Sequence, residues 1–399
     1  MKNSHTGGKR RGGQKSIWKG RRCVRLTNGR IEIIMLTGGG HIAALRFLPG
    51  MGLPAENALW EAPWPTMDPD RYRLRQHTSR YGPPPAGKFL SSFTGHALCM
   101  DYFGGPSQEE LQQNLPLHGE AAAQRWKIKS SPGNTGVAME VSLPAAGLSF
   151  RRRYRLLKNE SIAYLQEEVT NRRPADHYFH WTQHVTLGPP LLQKDESAVF
   201  LPGTRGKTWP HGYEGRSLLA NSREFHWPLA PGTNARRADL SRPFLRRGKG
   251  FVAAVLLDPE REFGFIVALN WRMGLLAGYL FRRHDFPWVA IWEENCARSG
   301  SPWNGTTQAR GMEFGSTPMP VGKRESFFGG PLFDTPTFRC IPAKGKLQAG
   351  YIAFLASAPA GWRRIRDVEV VRNAIVLRGP GPRDALRLPS AGLHEMGWR

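Results

Sequence analysis

Three things are scarce in this 399-residue chain: acidic charge, paired cysteines and long apolar runs. Lys and Arg number 56 against 32 Asp and Glu, a formal charge of +24. The four cysteines, Cys23, Cys99, Cys296 and Cys340, stand far apart with neither disulfide-framework nor metal-type spacing, so they read as isolated, reduced thiols. No stretch approaches the ~18–20 apolar residues of a membrane span. The basic N-terminus is followed by no apolar stretch of signal-peptide type, and the expectation is a cytoplasmic protein without a membrane span. Motifs are scarce as well. There is no HExxH pair, no GxSxG elbow, no helix-turn-helix pattern and no aromatic RNA-binding signature. These absences exclude the commonest zinc-hydrolase, serine-hydrolase and sequence-specific nucleic-acid readings, and the expectation is a site with no metal and no organic cofactor.

The positive charge is unevenly placed. Residues 1–25 carry nine of the basic residues and no acid, and setting those nine aside leaves 47 basic against 32 acidic residues, a dispersed surplus of 15. Residues 1–22 therefore read as a basic, disordered arm, with residues 23–399 as one domain. Such an arm touches polyanions through charge alone. Elsewhere the arginines come as scattered groups such as Arg151–Arg153, Arg172–Arg173 and Arg282–Arg283, with no stripe to read a nucleic acid.

What the chain has in abundance is punctuation: 45 Gly and 32 Pro. Between these breaks recur runs of five to ten apolar or alternating residues: Ile31–Leu36, His41–Phe47, Val137–Leu143, Leu148–Leu156, Ile162–Thr170, Tyr178–Leu187, Phe251–Leu257, Phe263–Leu269, Leu275–Phe281, Trp288–Trp292 and Tyr351–Leu355. Helical periodicity is almost absent, the best short helix lying around Gln108–Gln113. The chain thus reads as all-β and many-stranded. Gly38–Gly40 reads as a tight turn between two strands. The long loops at 201–250 and 295–307 are where a β scaffold would carry a site.

Three segments hold candidate chemistry. His118-Gly119 closes a loop before a strand. In the run from His180 to Pro190, strand alternation puts His180, Thr182, His184 and Thr186 on one face and Trp181, Gln183, Val185 and Leu187 on the other; a His/Thr face without lysine fits the floor of a polar pocket. Glu313 is a carboxylate in the otherwise apolar segment Gln308–Pro318.

Together these segments resemble the aldose 1-epimerase family, the galactose-mutarotase-like proteins. The resemblance is that of a distant branch and spans about residues 24 to 358; it includes the Ile31–Phe47 hairpin and the phrase Asn57-Ala58-Leu59-Trp60 with Pro63. His118-Gly119 matches the family's first histidine motif and Glu313 its C-terminal glutamate. His184 is the best match for the second histidine, His180 and His177 being alternatives, because the usual His-x-Tyr-Phe-Asn phrase is replaced by His184-Val-Thr-Leu-Gly. The resemblance implies a β-supersandwich of large antiparallel sheets and interconversion of the α and β anomers of an aldose, with Glu313 as base, His184 as acid and His118 bonding near C1 or the ring oxygen. Arg80, His96, Asp101, His180, Trp292 and Glu294 are the expected substrate-binding residues. The sugar itself, neutral or anionic, is left open. Two other function classes remain: a carbohydrate-binding protein without catalysis on the same scaffold, and a polyanion binder acting through the basic arm.

Overall fold

The computed structural model describes residues 13–129 and 136–398. Two large antiparallel sheets dominate, one of thirteen strands and one of eight. All eleven expected runs are strands, most extended by a residue or more, while Tyr178–Leu187 is divided into His177–Phe179 and Thr182–Leu187. Gly38–Gly40 turns between Ile31–Leu36 and Ile42–Phe47 with Gly39 and Gly40 at positive φ. A Cβ on Gly40 would lie 2.1 Å from the Trp126 ring, so glycine there serves both the turn and the packing of that indole.

Between the sheets, Leu98, Val185, Val289, Ile291, Met312 and Phe314 of the large sheet meet Phe150, Leu165, Tyr279 and Tyr351 of the smaller one in one apolar core. Within that core lies a charged cluster. Arg152 Nε donates to Glu167 Oε1 over 2.5 Å with both side chains fully buried. Glu167 Oε2 also accepts from Trp181 Nε1 (2.8 Å) and Gln183 Nε2 (2.7 Å), and Arg152 Nη2 donates to Gln183 Oε1 (2.9 Å). Arg152 and Glu167 belong to the eight-stranded sheet; Trp181 and Gln183 belong to the strand Thr182–Leu187 or its immediate approach. The cluster therefore pins one strand of the large sheet from behind.

The opposite face of the large sheet is covered too. Trp60, Trp64, Phe89, Phe93, Trp292 and Trp303 form a second, aromatic core there, closed by the helices Leu74–Tyr81 and Ala86–Ser92. The sequence predicts only a helix near Gln108–Gln113, found at Gln108–Gln112 behind a capping box made by Ser107 and Glu110. The two covering helices escape prediction because Leu74–Tyr81 buries only Tyr81 and so shows no apolar stripe. Residues beyond 358 form a three-stranded sheet and a final 3₁₀ turn, whose Trp362, Ile375, Leu388 and Trp398 pack on the outer face of the eight-stranded sheet.

Part of the expected N-terminal arm, residues 1–22, is folded. Gln14–Trp18 forms an edge strand against Arg21–Thr27. Arg21 is buried, donating to Asp68 Oδ1, Ser92 O and Gly38 O, so its charge holds loops together instead of facing solvent. The remainder of the arm, residues 1–12, lies outside the described residues. No helix among the described residues is long and apolar enough to cross a membrane.

Removing one member of a buried ion pair costs about 3–5 kcal/mol, because the other is left uncompensated. Glu167→Leu is expected to lose that much in urea unfolding, and the double variant Arg152→Met/Glu167→Leu to recover part of it. A double variant less stable than the single one would show that the pair is not the unit that matters.

Candidate active site

The central strands of the large sheet run in the order His96–Cys99, Thr182–Leu187, Gln308–Gly315, Trp288–Asn295. Register does the rest. Thr182 stands against Gly315 and Thr186 against Gly311, which brings His184 abreast of Glu313; on the next strand Trp292 stands against Gly311. Since alternate residues share a face, His184, Glu313 and Trp292 all project away from the inter-sheet core.

His184 Nε2 lies 3.2 Å from Glu313 Oε1. The approach is not aligned as a hydrogen bond, and Glu313 Oε1 is buried without a partner. The other ring nitrogen, His184 Nδ1, is 3.1 Å from Thr186 Oγ1. With a proton on Nδ1 donated to that hydroxyl, Nε2 is the nitrogen left with a lone pair towards Glu313. Gly311 makes room for the carboxylate: a Cβ there would sit 2.0 Å from Glu313 Oε1.

His118 reaches the same place from a loop. Its backbone is left-handed, φ 66°, followed by Gly119 at φ 82°, and its N–H donates to Gly104 O at 2.9 Å. A non-glycine residue in that region is strained by about 1–3 kcal/mol, and here the strained turn sets the imidazole between Phe89 and Phe103, 5.2 Å from the His184 ring. Its Nδ1 has no partner.

These three side chains line a cavity of about 260 Å³ whose walls are largely aromatic and aliphatic. Phe89 and Phe93 come from the helix Ala86–Ser92 and its end, Trp209 and Tyr213 from the segment that follows the strand Gly203–Thr208, and Arg298 and Trp303 from the 295–307 loop. The expected loop at 201–250 is corrected by the structure: it contains the strands Gly203–Thr208, Glu224–His226, Leu229–Pro231 and Arg237–Asp239, which extend one end of the large sheet. None of these six residues is singled out by the sequence; the individual aromatics carry no mark in a chain with 13 Trp and 20 Phe.

Dryness sets the electrostatics. Burial alone pushes the Glu313 carboxyl well above the usual carboxylate range. Burial likewise pushes the His184 imidazole down to about 3, and burial, reinforced by His184 and Arg298, holds His118 well below an ordinary histidine. Burial thus favours the uncharged form of all three groups, the protonated carboxyl of Glu313 and the neutral imidazoles of His184 and His118.

Of the other expected residues, Trp292 lines the cavity and donates from Nε1 to Tyr213 Oη at 2.8 Å. Glu294 stands behind the wall: Oε2 accepts from Tyr213 Oη (2.9 Å) and Oε1 from the Arg298 N–H (3.0 Å). It shapes the pocket without lining it. Four expectations are overturned. Arg80 is exposed on the helix Leu74–Tyr81, its guanidinium over the Tyr81 ring. His96 faces the inter-sheet core, bonded to Gln183 Oε1 (2.9 Å) and Tyr279 Oη (3.3 Å), because the register sets it opposite the inward-facing Val185. Asp101 is taken by His177 Nε2 (2.8 Å) and Lys323 Nζ (2.5 Å). His180 is sealed in the interior, its Nδ1 accepting from the Phe103 N–H at 3.0 Å. Of the three histidines considered for the second position, His184 is the one beside Glu313 at the cavity. Among the described residues no group of three or more His, Cys, Asp or Glu is placed to hold a metal ion.

At the level of sequence, no protein-family model and no curated protein matches this chain. Solved structures do resemble it. A protein of Klebsiella pneumoniae assigned provisionally as an aldose 1-epimerase superposes with a TM-score of 0.59 at 13% identity, over 84% of this chain and 79% of its own. A galactose mutarotase related enzyme from Lactobacillus acidophilus does so at 0.54 and 14% identity, over 85% of this chain and 99% of its own. A galactose mutarotase-like protein from Lactobacillus casei gives 0.53 at 11% identity, over 84% and 100%. Identities this low speak for architecture alone. With its two face-to-face antiparallel sheets, the chain has the galactose mutarotase-like fold.

Proposed function

We propose that the protein is an aldose 1-epimerase, interconverting the α and β anomers of a sugar by acid–base catalysis at His184 and Glu313. The observation that carries this reading is the dry His184–Glu313 pair, 3.2 Å apart at the floor of a cavity that admits a single sugar ring. The fold supports it.

Mutarotation needs one base at the C1 hydroxyl and one acid at the ring oxygen. Both oxygens hang on the same carbon, so two groups that nearly touch can serve both. The pair holds one transferable proton. The family resemblance assigns Glu313 as base and His184 as acid; burial favours the reverse resting arrangement, with the proton on Glu313 and a free lone pair on His184 Nε2. In the opening step His184 Nε2 takes the O1 proton, Glu313 gives its proton to the ring oxygen, the C1–O5 bond breaks and the aldehyde forms. After rotation about C1–C2 the O5 hydroxyl attacks the other face of the carbonyl, its proton returns to Glu313 and His184 protonates O1. Every group ends as it began. His118, neutral and with a free Nδ1, bonds the C1 region.

Glu313→Gln and His184→Ala are each expected to lower anomer exchange by about 10²–10⁴-fold, read by NMR or polarimetry across neutral, acidic and phosphorylated sugars. Full activity in Glu313→Gln would sink the mechanism. Because Glu313 Oε1 has no hydrogen-bond partner, the same variant should melt no lower than the parent protein.

Gly311→Ala keeps an allowed backbone yet sets a Cβ where the carboxylate lies. A displacement of about 1 Å is expected to cost roughly 10²-fold in kcat, with little change in thermal stability. Retained activity would show that Glu313 reacts from another position.

The pH profile follows from the direction of the shifts. Glu313 is a donor only while protonated, so activity holds at acid and near-neutral pH and falls as pH rises through its raised pKa; His184 is lost as a base only near pH 3. A rate that climbs with pH through the ordinary carboxylate range would instead make ionised Glu313 the resting base.

A further inference from the structure

Strand register places His184 and Glu313, but His118 stands on a loop, and its distance from them has to be set in another way. Its Nδ1 is unpartnered. The orientation of the imidazole therefore rests on its backbone and on the rings at either side, Phe89 at 4.7 Å and Phe103 at 5.5 Å, the latter stacked at 26°.

The segment Asp101–Gly104 grips this loop at three points. Tyr102 Oη donates to Pro116 O (2.6 Å), the His118 N–H donates to Gly104 O (2.9 Å), and Phe103 supplies the stacked ring. The two backbones are in contact as well, since a Cβ on Gly119 would lie 2.2 Å from Met100 O. One residue on the approach to the strand Thr182–Leu187 holds the segment in turn. His180 donates from its backbone N–H to Asp101 O (2.8 Å) and accepts at Nδ1 from the Phe103 N–H (3.0 Å), bonding the segment on both sides of Tyr102. Burial pushes the His180 imidazole down to about 3, which favours the neutral ring whose Nδ1 can accept. The far end is tied separately, Asp101 Oδ2 accepting from His177 Nε2 and Lys323 Nζ.

Resting on the mutarotase reading, we propose that His180 is a positioning residue: through Phe103 it sets the His118 imidazole, 5.2 Å from the His184 ring, where the anomer exchange requires it. The strand that carries His184 thereby also dictates where the loop histidine stands. Without the Nδ1 acceptor the Phe103 N–H is left unpaired, a costly state for a buried donor. The relief is a shift of residues 103 and 104, which takes both the stacked ring and the Gly104 carbonyl away from His118.

The test uses the full chain and three changes. His180→Leu removes the acceptor, His180→Asn returns an acceptor oxygen near the place of Nδ1, and Phe103→Leu keeps the N–H bond but removes the ring. Anomer exchange gives kcat and KM. Independently of activity, the proton–carbon NMR signal of the His118 imidazole, assigned by its loss in His118→Ala, reports the stacked Phe103 ring. In His180→Leu that signal is expected to move and kcat to fall by about 10–100-fold, with KM changed less; His180→Asn is expected to restore most of both. The double variant His180→Leu/His118→Ala should be no slower than His118→Ala alone, because the effect passes through that one ring. A histidine that only supported the fold would slow the His118→Ala protein by the same factor again. That further loss, an unmoved signal, or an unchanged kcat in His180→Leu overturns the inference and leaves the mutarotase reading standing. Parent behaviour in Phe103→Leu overturns it even where His180→Leu fails to fold. Absence of exchange in the unmodified protein with every sugar removes the mutarotase reading instead, and the positioning is then decided by the His118 signal, displaced in His180→Leu and restored in His180→Asn if it holds.

Discussion

The guanidinium of Arg152 and the carboxylate of Glu167 meet between two sheets, out of reach of solvent, and the position of the strand in front of them depends on that meeting. A buried pair of this kind contributes little net stability compared with apolar packing, but it tolerates few alternative arrangements. Glu167 has a fixed number of lone pairs, and Trp181 and Gln183 both bond it. Sliding the strand by one residue would turn Gln183 out and His184 in, stranding the charge and burying an imidazole in the apolar core. The polar cluster on one face thereby fixes which face carries His184. His96 belongs to the same arrangement, its ring bonded to Gln183, and this explains how a histidine close in space to the site has no part in its lining.

Desolvation connects the architecture to the proposed chemistry. Large sheets usually leave one face to water, but here helices, loops and tryptophans cover the second face as well, so the Glu313 carboxyl is buried without a counter-charge. Burial favours the neutral form of both Glu313 and His184, and one proton can pass between them. A charge-separated form, with carboxylate and imidazolium, is chemically the same inventory of protons, and a polar substrate entering the cavity narrows the gap between the two. Under the proposed mechanism, the aromatic walls keep water from an ordinary Glu and His and so strengthen the electrostatics of their acid–base exchange.

Much of the fold was legible. Runs such as Phe263–Leu269 and Leu275–Phe281 are strand-length and bounded by turn residues, and both pair as expected. His118, His184 and Glu313, which the structure brings to one cavity, are each marked in the sequence by a motif or by a strand's alternation. Arg80, Asp101 and His180 were misplaced for a different reason. Proximity in sequence to a site-bearing strand says nothing about which side chain a loop or helix turns inward, and Asp101 and His180 are consumed by partners more than seventy residues away in sequence, the His177 imidazole and the Phe103 backbone N–H. The helix Ala86–Ser92 is invisible in the sequence because Gly, Lys and two Ser interrupt any apolar stripe, although Phe89 and Leu90 are among its five buried residues. Its helicity is imposed by the aromatic core it covers, a tertiary effect that local propensity does not record.

The surplus of positive charge stands apart from the site. Arg21 is buried in a structural role, Arg25 and Arg46 share Glu32, and Arg298 lies between Glu214 and Glu294. Charge that is paired in this way cannot be counted again as attraction for an anionic ligand. Field effects from the unpaired surface residues fall off within about a Debye length of 8 Å in physiological salt, so they bias the approach of a ligand more than its recognition at the buried floor. Net charge is a property of the whole molecule, whereas recognition at a buried cavity depends on the polar atoms that line it.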